Sequence, residues 1–166
     1  MAPPESRNPV VFVAPTLAPD FLQVALSLRR YGLLRRMVTT LAVPGGWGSQ
    51  ALPAWLRKAL ATRCLPPELA GAVQFHPFRE AVRVVATRLG LDDVRLDRVW
   101  FWAETGFDRS VARAWAGRVP VLYGCEHACL ESFLRQKRRG GLNPIGAYAL
   151  WPRFSIEGPQ APSKWR

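Results

Sequence analysis

Between Val119 and Gly141 the hydrophobic period changes once, and that change restricts the possible folds more than any other feature of the chain. Val119 to Tyr123 is a short apolar run rich in β-branched and aromatic residues, the composition of a buried strand. Gly124 punctuates it. From His127 onward Ala128, Cys129, Leu130, Phe133 and Leu134 recur at helical spacing and predict one apolar face. Glu131 precedes Arg135 by four positions, the favourable order for an ion pair. Arg135, Lys137, Arg138 and Arg139 gather at the negative end of the helix dipole, and Gly140-Gly141 supplies the stop. The pattern is strand, tight turn, helix, with Glu126 and His127 at the turn.

The same alternation recurs upstream. Pro9 to Ala14 is nearly continuous in apolar residues, as in a strand covered on both faces. Asp20 is placed to cap a helix over Phe21 to Tyr31, which Gly32 closes. Met37 to Val43 reads as a second strand, and Pro44 to Ser49 as a Gly-rich loop that could cradle a phosphate but more simply marks a turn. Leu52 to Arg63 is a short amphipathic helix with Trp55. Val73 to Phe78 is a third strand, closed near His76, followed by a helix over Glu80 to Leu89. One or two helices lie within Asp97 to Gly117, where Trp100, Phe101, Trp102, Phe107, Val111 and Trp115 read as core. Strands alternating with helices predict an α/β fold with a mainly parallel sheet. Residues 1–8 form a polar tail, 9–142 the domain, and 143–166 an irregular tail without a clear period.

Composition narrows the partners. At 166 residues and 49% hydrophobic content, the chain can bury one core. No apolar run reaches the roughly 18 residues of a membrane span. No secretory signal is read, and three cysteines do not suit a disulfide scaffold, so a cytoplasmic setting is expected. The net charge of +11 suggests an anionic partner: a phosphate-bearing substrate, the inner face of a membrane, or nucleic acid. Nucleic acid is disfavoured, because the arginines are scattered and no recognition motif accompanies them.

Chemistry is expected at the turn after Tyr123. Ligands of open α/β sheets sit outside the carboxyl ends of the strands, where a helix N-terminus offers free N–H groups to an anion. Glu126 and His127 would project there, unless Glu126 merely caps the helix and His127 is solvated. Cys125, His127 and Cys129 offer three soft ligands where structural zinc takes four, so no metal is assigned, and Cys129 reads as a small buried hydrophobe.

The spaced residues Gly124, Glu126-His127-Ala128, Leu130-Glu131, Phe133, Lys137 and Gly140 resemble a signature of family 4-like glycosyltransferases of a bacterial subgroup. Phe21-Leu22-Gln23-Val24-Ala25-Leu26 with Tyr31-Gly32-Leu33-Leu34, Pro53-Ala54-Trp55-Leu56-Arg57, and Phe107-Asp108-Arg109-Ser110-Val111-Ala112 extend the resemblance over roughly residues 10 to 141. It implies the N-terminal, Rossmann-like half of a GT-B fold, with helices on both faces of the sheet and its C-terminal end missing. The residues after 142 then read as an unrelated ending, such as a frameshift or premature stop would leave.

The family transfers a sugar from a nucleotide-sugar donor to a glycan or lipid-linked acceptor, and its N-terminal domain mainly holds the acceptor. By resemblance Glu126 and His127 would be catalytic, and Thr16, Gln23 and Gly124 would contact substrate. No bound cofactor is implied. The Glu-x7-Glu donor motif is absent, and Thr16-Leu17-Ala18-Pro19 lacks the glycines many relatives place near the donor phosphates, so the chain alone is expected to be inactive. The alternative from another class is a basic α/β module that contacts nucleic acid or an anionic membrane.

Overall fold

The computed structural model describes residues 8–44, 63–125 and 128–146. Its centre is a five-stranded sheet in the order β5-β2-β1-β6-β7. The strands are β1 (Val10–Val13), β2 (Leu34–Thr39), β5 (Val73–Phe75), β6 (Val121–Cys125) and β7 (Ile145–Gly146), and every pairing is parallel. A separate parallel pair joins β3 (Val43–Pro44) to β4 (Cys64–Leu65). The helices are α1 (Pro19–Arg30), α2 (Pro77–Arg88), α3 (Asp93–Ala114) and α4 (Leu130–Arg138), with a 3-10 turn at Pro67–Leu69.

β1 is central because its four residues, Val-Val-Phe-Val, are buried throughout. Its alternate side chains feed two cores. Phe12 points with Leu34, Met37 and Cys125 toward Phe21 and Ala25 of α1. Val11 and Val13 point with Val38 and Leu122 toward Phe107 and Val111 of α3. Right-handed crossovers demand this division. α1 carries the chain one way across the sheet, whereas α2, α3 and α4 bring it back, so the two groups lie on opposite faces.

Proline starts two of the helices. Pro19 and Pro77 occupy the first turns of α1 and α2, where the missing N–H is no loss and φ is already set. Asp20 is therefore a first-turn residue and not the cap; Ala18 holds the cap position with no side-chain bond. The expected N-cap is found instead at Asp92, whose Oδ1 accepts from Arg95 N at 2.9 Å and opens α3 four residues before the expected start. Gly32 adopts φ 67° and closes α1 as anticipated.

Several boundaries moved for tertiary reasons. β2 begins at Leu34, three residues early, because Leu34 pairs with Val10, while Arg36 donates to Gly71 O at 2.7 Å. β6 runs to Cys125, so Gly124 lies within the strand and does not end it. The segment expected to be irregular contributes β7, which pairs with Gly124 and Cys125. The Gly-rich loop after Pro44 and the Leu52–Arg63 helix fall, apart from Pro44 and Arg63, outside the described residues.

Two faces were misread. Phe107 and Val111 are core, but Trp100, Phe101 and Trp102 are 39%, 73% and 41% exposed. Among the described residues α3 packs chiefly on α2 and α4, and its buried residues all fall between Ala103 and Ala112. In α4 Leu130 is 74% exposed and Leu134 is also exposed, while Ser132 and Gln136 are buried. No ion pair joins Glu131 to Arg135 among the described residues.

Candidate functional site

Parallel strands all deliver their carboxyl ends to one edge of the sheet. The order reverses at β1, whose neighbours β2 and β6 follow it and lie on opposite sides, and such a reversal opens a crevice between the loops. The loop after β1 turns at Pro15-Thr16. Thr40, just past β2, donates its hydroxyl to Pro15 O at 2.6 Å and fixes that loop.

A groove of about 310 Å³ runs beside this contact, lined by Thr16, Leu17, Thr40, Leu41, Arg63 and Glu80. It continues, through Pro15, Thr16, Thr40 and Glu80, into a recess walled by Arg83, Trp100, Ala103, Glu104 and Phe107. The volume lies within the range of small-ligand sites. Hydroxyls and a carboxylate line one end, and two aromatic rings line the other.

Glu80 anchors the groove floor. It is buried, and its carboxylate accepts from Arg63 Nη2 at 2.5 Å, from Arg83 Nε at 2.8 Å and from Arg83 Nη2. Three of its roughly four lone-pair positions are therefore filled. Glu80 is thus a structural counter-ion and offers little to a ligand. Arg83 is held from the other side by Trp100, whose ring centroid lies 4.0 Å from the guanidinium carbon. Arg63 Nη1 is buried with no hydrogen-bond partner among the described residues. Sequence reading overlooked this triad, since Arg63, Glu80 and Arg83 share no motif and meet only through the fold.

The expected site residues separate. Thr16 lines the groove. Gln23 is exposed on α1 and lines neither part of the groove. Gly124 is buried in β6, where a Cβ would lie 2.9 Å from both Cys129 Cβ and Phe133 Cε1; it is glycine so that α4 can approach the strand. Glu126 and His127 lie outside the described residues, between Cys125 at the end of β6 and Ala128.

The N-terminus of α4 does not offer the free amides expected of it. The helix begins at Leu130, and the buried Asp108 of α3 accepts from Glu131 N at 2.6 Å and Ser132 N at 3.0 Å. A protein carboxylate occupies the place an external anion would take. The signal was present in the sequence as an acid between Phe107 and Val111 on a helix, but its partner lies 23 residues away.

Cys125 and Cys129 are both buried. Cys129 Sγ donates to Cys125 O at 2.7 Å, and Cys125 Sγ lies 3.5 Å from Val13 O. Burial, reinforced by Cys129, pushes the Cys125 thiol up to about 12. Among the described residues no group of three or more His, Cys, Asp or Glu could hold a metal ion. Nor is any described helix long and apolar enough to cross a membrane.

In comparisons with known proteins the chain matches no family model, no curated protein and no solved structure.

Proposed function

We propose that this chain is the acceptor-binding, Rossmann-like domain of a family 4-like glycosyltransferase of the GT-B kind, and that the groove beside Thr16 receives a glycan or the sugar of a lipid-linked acceptor. The observation that carries the reading is the groove's lining at the carboxyl ends of β1 and β2. Trp100, partly exposed and backed on one ring face by Arg83, supplies apolar surface of the kind that meets the C–H face of a sugar ring. Thr16 supplies a hydroxyl, and Glu104 a carboxylate, that suit hydrogen bonding to sugar hydroxyls. Glu80 takes no part in proton transfer, because two guanidinium groups occupy it.

Glu126 and His127 are the sequence-based candidates for contact with the reacting hydroxyl. Imidazole can donate or accept a proton near neutral pH, which suits that role. By the same resemblance the nucleotide-sugar donor is held mainly by a second domain of such enzymes, and the groove beside Thr16 is not its site.

Tryptophan fluorescence tests this. Titration with a panel of oligosaccharides should show saturable binding at millimolar concentrations or below, and Trp100→Ala should weaken it at least tenfold. Nucleotide sugars should bind no better than free sugars. Saccharide binding that is absent, or that survives Trp100→Ala, would refute the acceptor reading. Preferential nucleotide-sugar binding would mean that the groove is a donor site.

A further inference from the structure

A second hollow opens where β5 ends and α2 begins. It has a volume of about 240 Å³, and its lining includes Phe75, His76, Phe78, Arg79, Phe107 and Ser110. Among the described residues only Phe107 lines both this hollow and the groove beside Thr16. The volume falls below the roughly 300 Å³ at which drug-sized sites begin, so it suits a smaller molecule.

Arg79 supplies the charge. Its guanidinium lies against α3 at Gly106, where a Cβ would stand 2.1 Å from Arg79 Cζ. Glycine at that position is what lets the side chain lie there. Arg79 Nη1 donates to Trp102 O at 3.2 Å, and Cζ lies 4.3 Å from the Trp102 ring centroid. Among the described residues no ion pair joins Arg79 to a carboxylate. The acids nearest Gly106 in sequence are committed elsewhere: Glu104 lines the groove's recess, and Asp108 accepts from the amides of α4. A guanidinium held in place with donors to spare and no acid beside it is ready to receive a carboxylate or phosphate.

His76 supplies a second donor. Trp115 Nε1–H can only donate, so Gln74 Oε1, 3.1 Å away, accepts from it. The amide nitrogen of Gln74 therefore faces His76 Nε2 at 3.1 Å and donates to it. Nε2 is then an acceptor, the ring is neutral, and its proton sits on Nδ1. Among the described residues nothing accepts from that Nδ1–H. Ser110 donates its own proton to Gly106 O at 2.9 Å and offers a ligand no donor. Phe75 and Phe78, 42% and 72% exposed, add ring surface that a bare phosphate would leave uncovered.

We propose that this hollow binds a small organic carboxylate with a ring-sized apolar body, its carboxylate on Arg79 and His76 Nδ1–H and its body against Phe75 and Phe78. The proposal is independent of the sugar-transfer reading, since neither Thr16 nor the groove floor takes part.

Benzoate is the probe, added to the full chain and followed through amide and imidazole nitrogen-15 resonances. Saturable shifts at millimolar concentrations or below should centre on His76, Phe78, Arg79 and Ser110 and spare Thr16. Benzyl alcohol, which keeps the ring, and inorganic phosphate, which keeps the charge, should each bind at least tenfold more weakly. Arg79→Met keeps a stem beside Trp102 and removes the charge, and it should weaken benzoate at least tenfold. Ser110→Leu, which fills the hollow from α3, should do the same with Arg79 intact. In the free chain the His76 ring should carry its proton on Nδ1.

Benzoate that leaves these resonances unmoved at tens of millimolar overturns the proposal. So does phosphate that binds as tightly as benzoate, which marks a plain anion site, or benzyl alcohol that does, which marks a plain apolar hollow. Binding that survives both substitutions, shifts confined to Thr16 and Trp100, or a His76 proton found on Nε2 overturns it as well.

Discussion

Removing the Asp108 carboxylate should loosen the helix that follows β6. Its two oxygens accept from Glu131 N and Ser132 N at 2.6 and 3.0 Å, and the residue is buried. A hydrogen bond to a charged group contributes about 1.5–3 kcal/mol, and both donors lose their partner together in Asp108→Ala. Relief from desolvating the carboxylate offsets part of this, which leaves a loss of about 3–5 kcal/mol. Asp108→Asn keeps one acceptor but turns an amide N–H₂ toward the second donor, so roughly half the loss, about 2 kcal/mol, is expected.

At about 3 °C per kcal/mol for a chain of this size, the alanine variant should melt roughly 9–15 °C lower. Urea denaturation followed by circular dichroism gives the free energies directly, with the slope against denaturant unchanged if only the native state is affected. An alanine variant within about 1 kcal/mol of the parent would refute the capping argument, because two buried amides cannot lose a charged acceptor so cheaply.

Three further outcomes follow from packing and titration. Gly124→Ala should destabilise by about 1–3 kcal/mol, the usual range for overpacking, since the new methyl meets Cys129 and Phe133 at 2.9 Å; a neutral effect in a melt would show that α4 shifts freely. Of the three cysteines only the exposed Cys64 should react rapidly with a thiol reagent at pH 8, Cys125 and Cys129 labelling only on unfolding; fast labelling of two or more would contradict their burial. Burial lowers the pKa of His76 below its ordinary 6.5, so its neutral form is favoured in the fold. The associated stability is present above pH 6.5 and is lost as pH falls below it; His76→Gln should flatten that slope between pH 7 and 5, and an unchanged slope would exclude His76 as its source.

Periodicity carried the strands well where both faces are buried. β1 reads as four apolar residues in a row, and nothing polar obscures it. α3 was harder, because its apolar residues serve two surroundings: Phe107 and Val111 meet the sheet, while Phe101 and Val94 meet solvent. A local pattern reports that a residue is apolar but not how far the sheet extends beneath it. α4 shows the opposite case. Its buried side chains include Ser132 and Gln136, polar groups that hydrogen bonds make tolerable in a core. Gln136 accepts from Gly117 N and donates to Val119 O at 2.8 Å, partners that no spacing rule reveals. The groove was legible only as far as Thr16. Its floor joins Arg63, Glu80 and Arg83, and its wall includes Trp100, residues set side by side by two crossovers.

The place of β1 at the centre of the sheet also governs how the chain must reach its native state. Val10 finds one neighbour soon, at Leu34, but the other, Val121, only after most of the chain has been made. Until β6 arrives, one hydrogen-bonding edge of an entirely apolar strand has no partner. Pairing across so long a sequence interval makes folding slow, and a nascent or refolding chain is exposed to aggregation during that wait. Refolding yield should therefore depend on protein concentration far more steeply than equilibrium stability does, with losses arising before β6 docks and not from the finished fold.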